Sequence, residues 1–174
     1  VLKNLQLYKP DYIYVVPAFV ELFYKKIWSN AKESHKDKAL KAMMVISNEL
    51  RKVGIDLRKK FFKSIHNAFG GNLRKIVTGG AAVRPELGDF FDTIGIDLIN
   101  GYGITECSPL VSANMDYCND CSTVGFPLEC VKIKLEDVTP EGDGEICVKG
   151  DIVMLGYYKQ PEKTAEVLQN GWFR

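Results

Sequence analysis

The strongest constraint on the fold lies between residues 73 and 106. A strand-like run, Leu73-Arg74-Lys75-Ile76-Val77-Thr78, passes directly into Gly79-Gly80-Ala81-Ala82. A second short apolar run, Ile96 to Ile99, passes into Asn100-Gly101-Tyr102-Gly103-Ile104-Thr105-Glu106. Each run is bounded by turn residues and is too short for a helix, so each reads as a buried strand. Between them Pro85 marks a helix start, and Leu87, Phe90, Phe91 and Ile94 are spaced for one apolar face. Strand, helix and strand in that order join two parallel strands through a right-handed crossover. Both glycine-bearing ends then fall on one rim of one sheet, where open α/β sheets bind ligands.

The residues at that rim suit a nucleotide. Gly101 and Gly103 flank a tyrosine, which lets the backbone turn sharply and a flat ligand approach closely. Tyr102 offers a ring face for stacking, Thr105 a hydroxyl for a phosphate oxygen, and Glu106 a hard oxygen for the Mg²⁺ that travels with phosphates. Taken alone, the spacing also fits an ordinary strand-to-loop turn with polar residues.

The ordered set of motifs narrows the choice. Gly79-Gly80-Ala81, Gly101 through Pro109, Thr123-Val124-Gly125-Phe126-Pro127, Gly144 through Gly150, and Met154-Leu155-Gly156-Tyr157-Tyr158 together resemble the core motifs of the adenylate-forming (AMP-binding) superfamily. Within it the chain is most similar to long-chain fatty-acid CoA ligases. The resemblance implies an α/β fold: a parallel sheet with flanking helices from the large domain, plus a small antiparallel β-barrel-like portion. It implies an acid–thiol ligase that uses ATP, Mg²⁺ and coenzyme A to turn a fatty acid first into acyl-AMP and then into a thioester. It assigns Tyr102 to the adenine face, Asn100 to the base edge, and Gly79, Gly80 and Ala81 to the adenine and acyl-carboxylate pocket. Thr105 falls to the α-phosphate and Glu106 to Mg²⁺, while Gly101 and Gly103 keep ligand paths open. Thr105 and Glu106 are thereby the catalytic pair. Val16-Pro17 stands where the family carries Val-Pro, but Ala18 follows where arginine is usual. The family's phosphate loop, ribose-binding aspartate and lid-domain lysine are expected outside these residues, so the segment is expected to be inactive alone. Two other readings stay open: an adenylating relative using another carboxylic acid, and a non-catalytic interaction module that keeps the fold.

Charge is uneven along the chain. Residues 1–75 carry 16 Lys and Arg against 6 Asp and Glu, a net +10, whereas residues 76–174 carry 7 against 16, a net −9. The basic half suits acidic lipid or coenzyme A phosphates, or is simply a solvated face. It holds no nucleic-acid recognition motif, so no nucleic-acid partner is expected. The amino terminus shows neither a start methionine nor a signal pattern, and no apolar run reaches bilayer length. Five cysteines without a leader fit a reducing cytoplasm with free thiols, and Cys118-Asn119-Asp120-Cys121 would need two further ligands to hold zinc. The expected setting is cytoplasmic with peripheral membrane contact and a homodimer as options, exposed sheet edges being able to pair between copies.

Elsewhere the pattern divides the chain into an α/β part over 1–115, with a helical insertion at 28–71, and a β-rich part over 116–174. Tyr12 to Val16 reads as a strand, and Phe19, Leu22, Phe23 and Ile27 as one helix face. Leu40, Met43, Met44, Ile46, Leu50 and Val53 form an apolar stripe ended by Gly54. Asp56 caps a helix bearing Leu57, Phe61, Ile65 and Phe69. Segments 130–136 and 145–149 alternate around a polar turn and read as a hairpin, and Pro161 opens a helix through Leu168.

Overall fold

A computed structural model describes all residues, 1–174. The first sheet has the order β1-β2-β3-β4-β5. Its strands are β1 (Tyr12–Val15), β2 (Lys75–Gly79), β3 (Asp97–Tyr102), β4 (Ser112–Ala113) and β5 (Phe126–Pro127). Strands β1, β2 and β3 run parallel, and β4 and β5 add on antiparallel. The expected crossover is present: helix α6 (Pro85–Thr93) joins β2 to β3 and buries Leu87, Phe90 and Phe91. Proline at its first turn costs nothing because that N–H has no helical partner. The connection from β1 to β2 is α2 (Pro17–Glu33), α3 (Asp37–Lys52), α4 (Arg58–Phe61) and α5 (Lys63–Ala68), preceded at the terminus by α1 (Leu2–Tyr8).

These helices cover one face of the parallel strands. Tyr24 of α2 meets Phe90 of α6 edge to face with centroids 4.8 Å apart, so the two helices pack side by side. Ile13 and Val15 of β1 join this core, while the alternate residues Tyr12 and Tyr14 point the other way and are exposed. The core cluster holds 16 buried residues, among them Val20, Ile76, Phe91, Ile94 and Ile96 with no exposed surface. Removing such side chains from water stabilises the fold by about 1.5–3 kcal/mol each.

Helix faces are narrower than the periodicity predicts. On α2, Val20 and Phe23 are buried whereas Phe19 and Leu22 are exposed. On α3 the buried residues are Leu40 and Ser47, with Met43 and Met44 packed alongside, and Ile46 and Val53 face outward. The expected single helix after Asp56 is broken at Phe62, which lies fully inside with His66 and Phe69. Phe62, His66 and Phe69 share the buried side of this segment, and His66 Nε2 lies 2.8 Å from the Ile94 carbonyl. Burial pushes the His66 imidazole below its ordinary pKa, so the ring is neutral and donates to that carbonyl.

The insertion is also pinned electrostatically. Arg51 of α3 and Arg58 of α4 both bond Asp92 at the end of α6, at 2.6 and 3.1 Å. Arg58 also grips Asp56, whose carboxyl is pulled down to about 2 by that hydrogen bond. Asp56 accepts from the Arg58 backbone N–H as well, but α4 starts after Leu57 with no side-chain cap, so the expected cap is instead a turn contact one residue before the helix.

The second sheet has the order β6-β7-β9-β8 and is wholly antiparallel. The expected hairpin is β6 (Val131–Glu136) with β7 (Glu145–Gly150), paired along their full length. Helix α7 (Pro161–Val167) leads into β8 (Leu168–Gln169) and β9 (Trp172–Phe173), which turn at Asn170-Gly171. Four strands form an open sheet, which corrects the barrel-like expectation. No helix is long and apolar enough to cross a membrane.

Candidate active site

Register brings the two glycine segments together. Thr78 stands opposite Asn100 and Gly79 opposite Gly101, so Gly80 and Tyr102 emerge side by side at the carboxyl ends of β2 and β3. Strand β3 runs on through Tyr102, longer than the apolar run, because Gly101 and Tyr102 pair with Ala113 and Ser112 of β4. The glycines at 79, 101 and 103 answer first to the protein's own backbone. A β-carbon at Gly79 would lie 2.8 Å from the Gly101 carbonyl oxygen, one at Gly101 3.0 Å from that of Ser112, and one at Gly103 1.7 Å from that of Pro109. The expected turn at Gly101 is therefore strand, and the segment 108–111 folds back over the place where ligand space was expected at Gly103. Gly80 differs: with φ +81° and nothing within 4 Å of its β-position, it opens to solvent beside the exposed Ala81.

Behind this rim a polar lattice fixes the loop at 119–125. Buried Asn100 donates from Nδ2 to the Thr123 carbonyl at 3.0 Å. Asn114, also buried, donates to the carbonyls of Asp120 and Thr123, each at 3.0 Å, and accepts from the Asp120 N–H at 3.1 Å. Asn100 is thus committed to loop 119–125, which accounts for it without a ligand at the base edge. Asn114 was not singled out by the sequence, since a lone Asn between two strands has no motif to mark it.

In front of the rim, Thr105 to Cys107 form one 3₁₀ turn. Thr105 is exposed, Glu106 half-buried and Cys107 fully buried. Tyr102 is half-buried, and loss of solvent raises its hydroxyl pKa, with Cys107 adding to the rise. Glu106 is held from the second sheet's side of the chain. Its Oε1 accepts from the Tyr157 hydroxyl at 2.9 Å, and its carbonyl accepts from the Met154 N–H at 2.7 Å. The Tyr157 N–H in turn donates to Thr164 Oγ1 at 2.9 Å, fixing the loop on α7. The Met154-Leu155-Gly156-Tyr157-Tyr158 motif was visible in sequence, but its service to Glu106 required the fold.

Glu106 suits a divalent cation. Oε2 accepts no hydrogen bond from the protein, and Mg²⁺ takes one or two carboxylates while keeping several waters. The other cluster of candidate ligands is Glu136, Glu145 and Cys147, within 4.8 Å of one another. A guanidinium already serves it: Arg174 lies 3.2 Å from Glu136 and 2.7 Å from Glu145. Cys118 and Cys121 form no metal cluster either. Cys121 is buried, donates to the Leu98 carbonyl at 3.1 Å, and has its thiol pushed up to about 11 by burial.

A parallel sheet with two glycine ends in register, a half-buried tyrosine between them and a tethered carboxylate at the same rim is the arrangement of an α/β enzyme domain. The AMP-binding enzyme family matches residues 1–158, and the chain belongs to that family of adenylate-forming ligases. It is 37% identical over 179 residues to long-chain-fatty-acid–CoA ligase 5 of Rattus norvegicus, covering 94% of this chain and 26% of that protein. It is 39% identical over 123 residues to the chloroplastic long-chain-fatty-acid–[acyl-carrier-protein] ligase AEE15 of Arabidopsis thaliana, covering 67% of this chain and 17% of that one. The chain thus spans about a quarter or less of the length of these curated relatives. Among solved structures, the anthranilate CoA ligase AuaEII in complex with anthranoyl-AMP superposes with TM-score 0.66 at 19% identity, over 99% of this chain and 28% of that one. The o-succinylbenzoate CoA synthetase of Bacillus subtilis in complex with ATP and magnesium ion gives TM-score 0.51 at 26% identity, over 59% of this chain and 23% of that one.

Proposed function

We propose that the protein to which these residues contribute activates a long-chain fatty acid with ATP and passes the acyl group to coenzyme A. The observation that carries this reading is the side-by-side emergence of Gly80 and Tyr102, with a free carboxylate oxygen of Glu106 a few residues on. The 37% identity to a long-chain-fatty-acid–CoA ligase over nearly all of the chain supports the acid class.

In this reading the fatty-acid carboxylate attacks the α-phosphorus of ATP, pyrophosphate leaves, and the coenzyme A thiol then displaces AMP from the acyl carbonyl. Such transfers need positioning and charge neutralisation more than covalent help. The Tyr102 ring stacks on adenine, and the open backbone at Gly80 and Ala81, set against β3 by the close approach at Gly79, admits the base and the acyl carboxylate. The Thr105 hydroxyl donates to an α-phosphate oxygen. Bound Mg²⁺ would neutralise phosphate charge, and Glu106 is the residue that would hold it. Tyr157 keeps one Glu106 oxygen occupied and so aims the other.

The test uses the full-length ligase containing these residues. Glu106→Gln should lower fatty-acid-dependent pyrophosphate release about 10²-fold or more, the scale of losing one electrostatic contact to a transition state. Release near the wild-type rate would overturn the assignment. Running the second step with coenzyme A and with acyl-carrier protein decides the acceptor, with coenzyme A expected to be preferred.

A further inference from the structure

Glu106 is held at two points by one loop. The Met154 N–H donates to its carbonyl at 2.7 Å, and the Tyr157 hydroxyl donates to its Oε1 at 2.9 Å. With backbone and side chain both engaged, the carboxylate cannot swing away without breaking a hydrogen bond. The loop is fixed in turn on α7. Thr164 Oγ1 accepts from the Tyr157 N–H at 2.9 Å and donates to the Gln160 carbonyl at 2.9 Å, so the hydroxyl is used both as acceptor and as donor. Gly156 lets the loop come this close to α7: its φ is +149°, and a β-carbon there would stand 2.8 Å from Thr164 Cγ2.

Which oxygen is taken decides which cation the other one suits. With Oε1 carrying the phenol proton, Glu106 offers a cation one oxygen, Oε2. Mg²⁺ is satisfied by that: it binds oxygen at about 2.0–2.1 Å in strict octahedral geometry, takes one or two carboxylates and keeps several waters. Ca²⁺ binds at about 2.3–2.6 Å, gathers roughly six to eight oxygens and draws on bidentate carboxylates. Bidentate binding at Glu106 would require Oε1 to give up Tyr157.

We infer that Tyr157 is a positioning residue that makes the Glu106 site selective for Mg²⁺ over Ca²⁺, by restricting Glu106 to coordination through one oxygen. Thr164 and Gly156 hold Tyr157 where it can do so. The inference rests on the reading that Glu106 holds the cation accompanying ATP, and adds to it the choice of ion.

The test uses the full-length ligase containing these residues and compares, by calorimetry, its affinity for ATP in Mg²⁺ and in Ca²⁺. Fatty acid is left out, so nothing turns over. Tyr157→Phe, which removes one oxygen and keeps the ring, should shift the ratio of the two affinities toward CaATP about tenfold, the scale on which loss of a partner to a metal ligand is felt. The Mg²⁺ and Ca²⁺ dependence of pyrophosphate release should shift in the same sense. Thr164→Val should reproduce part of the change, because Tyr157 then loses its anchor on α7. Thr164→Ser, which keeps the hydroxyl, should hold the ratio within about twofold of wild type. A merely structural contact would weaken MgATP and CaATP equally. An unchanged ratio in Tyr157→Phe, with Glu106→Gln still stopping pyrophosphate release, would overturn the inference and leave the proposed activity standing. Release near the wild-type rate in Glu106→Gln would overturn both.

Discussion

In the first sheet β3 buries four consecutive residues, Leu98, Ile99, Asn100 and Gly101, whereas in the second sheet β6 leaves Lys132 and Leu135 exposed along six residues. The apolar cores differ in the same sense, with 16 buried residues around the parallel strands and 5 in the cluster centred on Val148 and Phe173. A parallel sheet covered by helices gains its stability from packing. The antiparallel sheet, solvated on one side, leans on charges at its edge instead. Arg174 contacts Glu136, Asp137 and Glu145, and Lys134 stands 4.5 Å from the centroid of Trp172. The candidate active site joins the two regimes: Tyr102 and Gly80 are fixed by the rigid sheet, while Glu106 is aimed by Tyr157 from the more weakly packed part.

The contrast makes its largest prediction in the cores. Phe91→Ala should cost about 3–5 kcal/mol, because its ring has no exposed surface and the site cannot collapse freely. Val148→Ala removes two methyl groups and should cost about 1.5–3 kcal/mol. Trp28 packs against Phe90, and Trp172 lies in β9, so each region carries its own fluorophore. Urea unfolding read from single-tryptophan variants checks both numbers. If Phe91→Ala shifts the Trp172 transition as far as the Trp28 transition, the two regions unfold as one and the contrast is lost.

A smaller effect separates the regions by pH. Neutral His66 is buried under α6, and its imidazole pKa lies below the unfolded value near 6.5. Within that window the unfolded chain binds a proton that the folded chain does not. The contribution of His66 is therefore complete above about pH 6.5 and falls as pH drops toward the lower folded pKa, with a slope of at most about 1.4 kcal/mol per pH unit. The Trp28 transition should weaken from pH 7 to 5.5, and His66→Gln, which keeps a donor for the Ile94 carbonyl, should flatten that dependence. An unchanged pH slope in the variant would show that His66 is not the titrating group.

How much of this was legible in the sequence follows from the same division. The crossover β2-α6-β3 could be read because Leu87, Phe90, Phe91 and Ile94 keep helical spacing between two apolar runs, and all four are buried. The hairpin of β6 and β7 was legible from alternation. Periodicity failed where the neighbours decide the outcome. Ile46 and Val53 match the α3 pattern yet face outward, while the polar Ser47 is buried, because α3 meets the core along a narrower line than a full apolar stripe. Phe62 and His66 escaped notice because the buried stripe of this segment, Phe62, His66 and Phe69, is rotated from the expected line through Leu57, Phe61 and Ile65. At the site, residue types marked Tyr102, Thr105 and Glu106. The Asn100 and Asn114 lattice and the Tyr157 tether are long-range contacts, and no local spacing encodes them.

The smallest effect is expected at the edge of the second sheet. Arg174→Met keeps an apolar stem but frees Glu136, Asp137 and Glu145 from their shared cation. Glu136 is held below the usual carboxylate range, by Lys134 first and with help from Arg174. A carboxylate with a lowered folded pKa lends stability above its unfolded pKa, near 4.3, and loses it as pH falls through the folded value. The variant should therefore lower the Trp172 transition at neutral pH by several-fold less than Val148→Ala does, and by progressively less as pH falls below the usual carboxylate range. Because the pairs are exposed, 1 M salt, with a screening length of about 3 Å, should remove most of the difference. The Trp28 transition should not respond at all, since no residue of the first core touches these charges. A Trp28 shift matching that of Trp172 would mean that the edge charges act through the Glu106 to Tyr157 tether, and the second sheet would then be a support of the site rather than a neighbour of it.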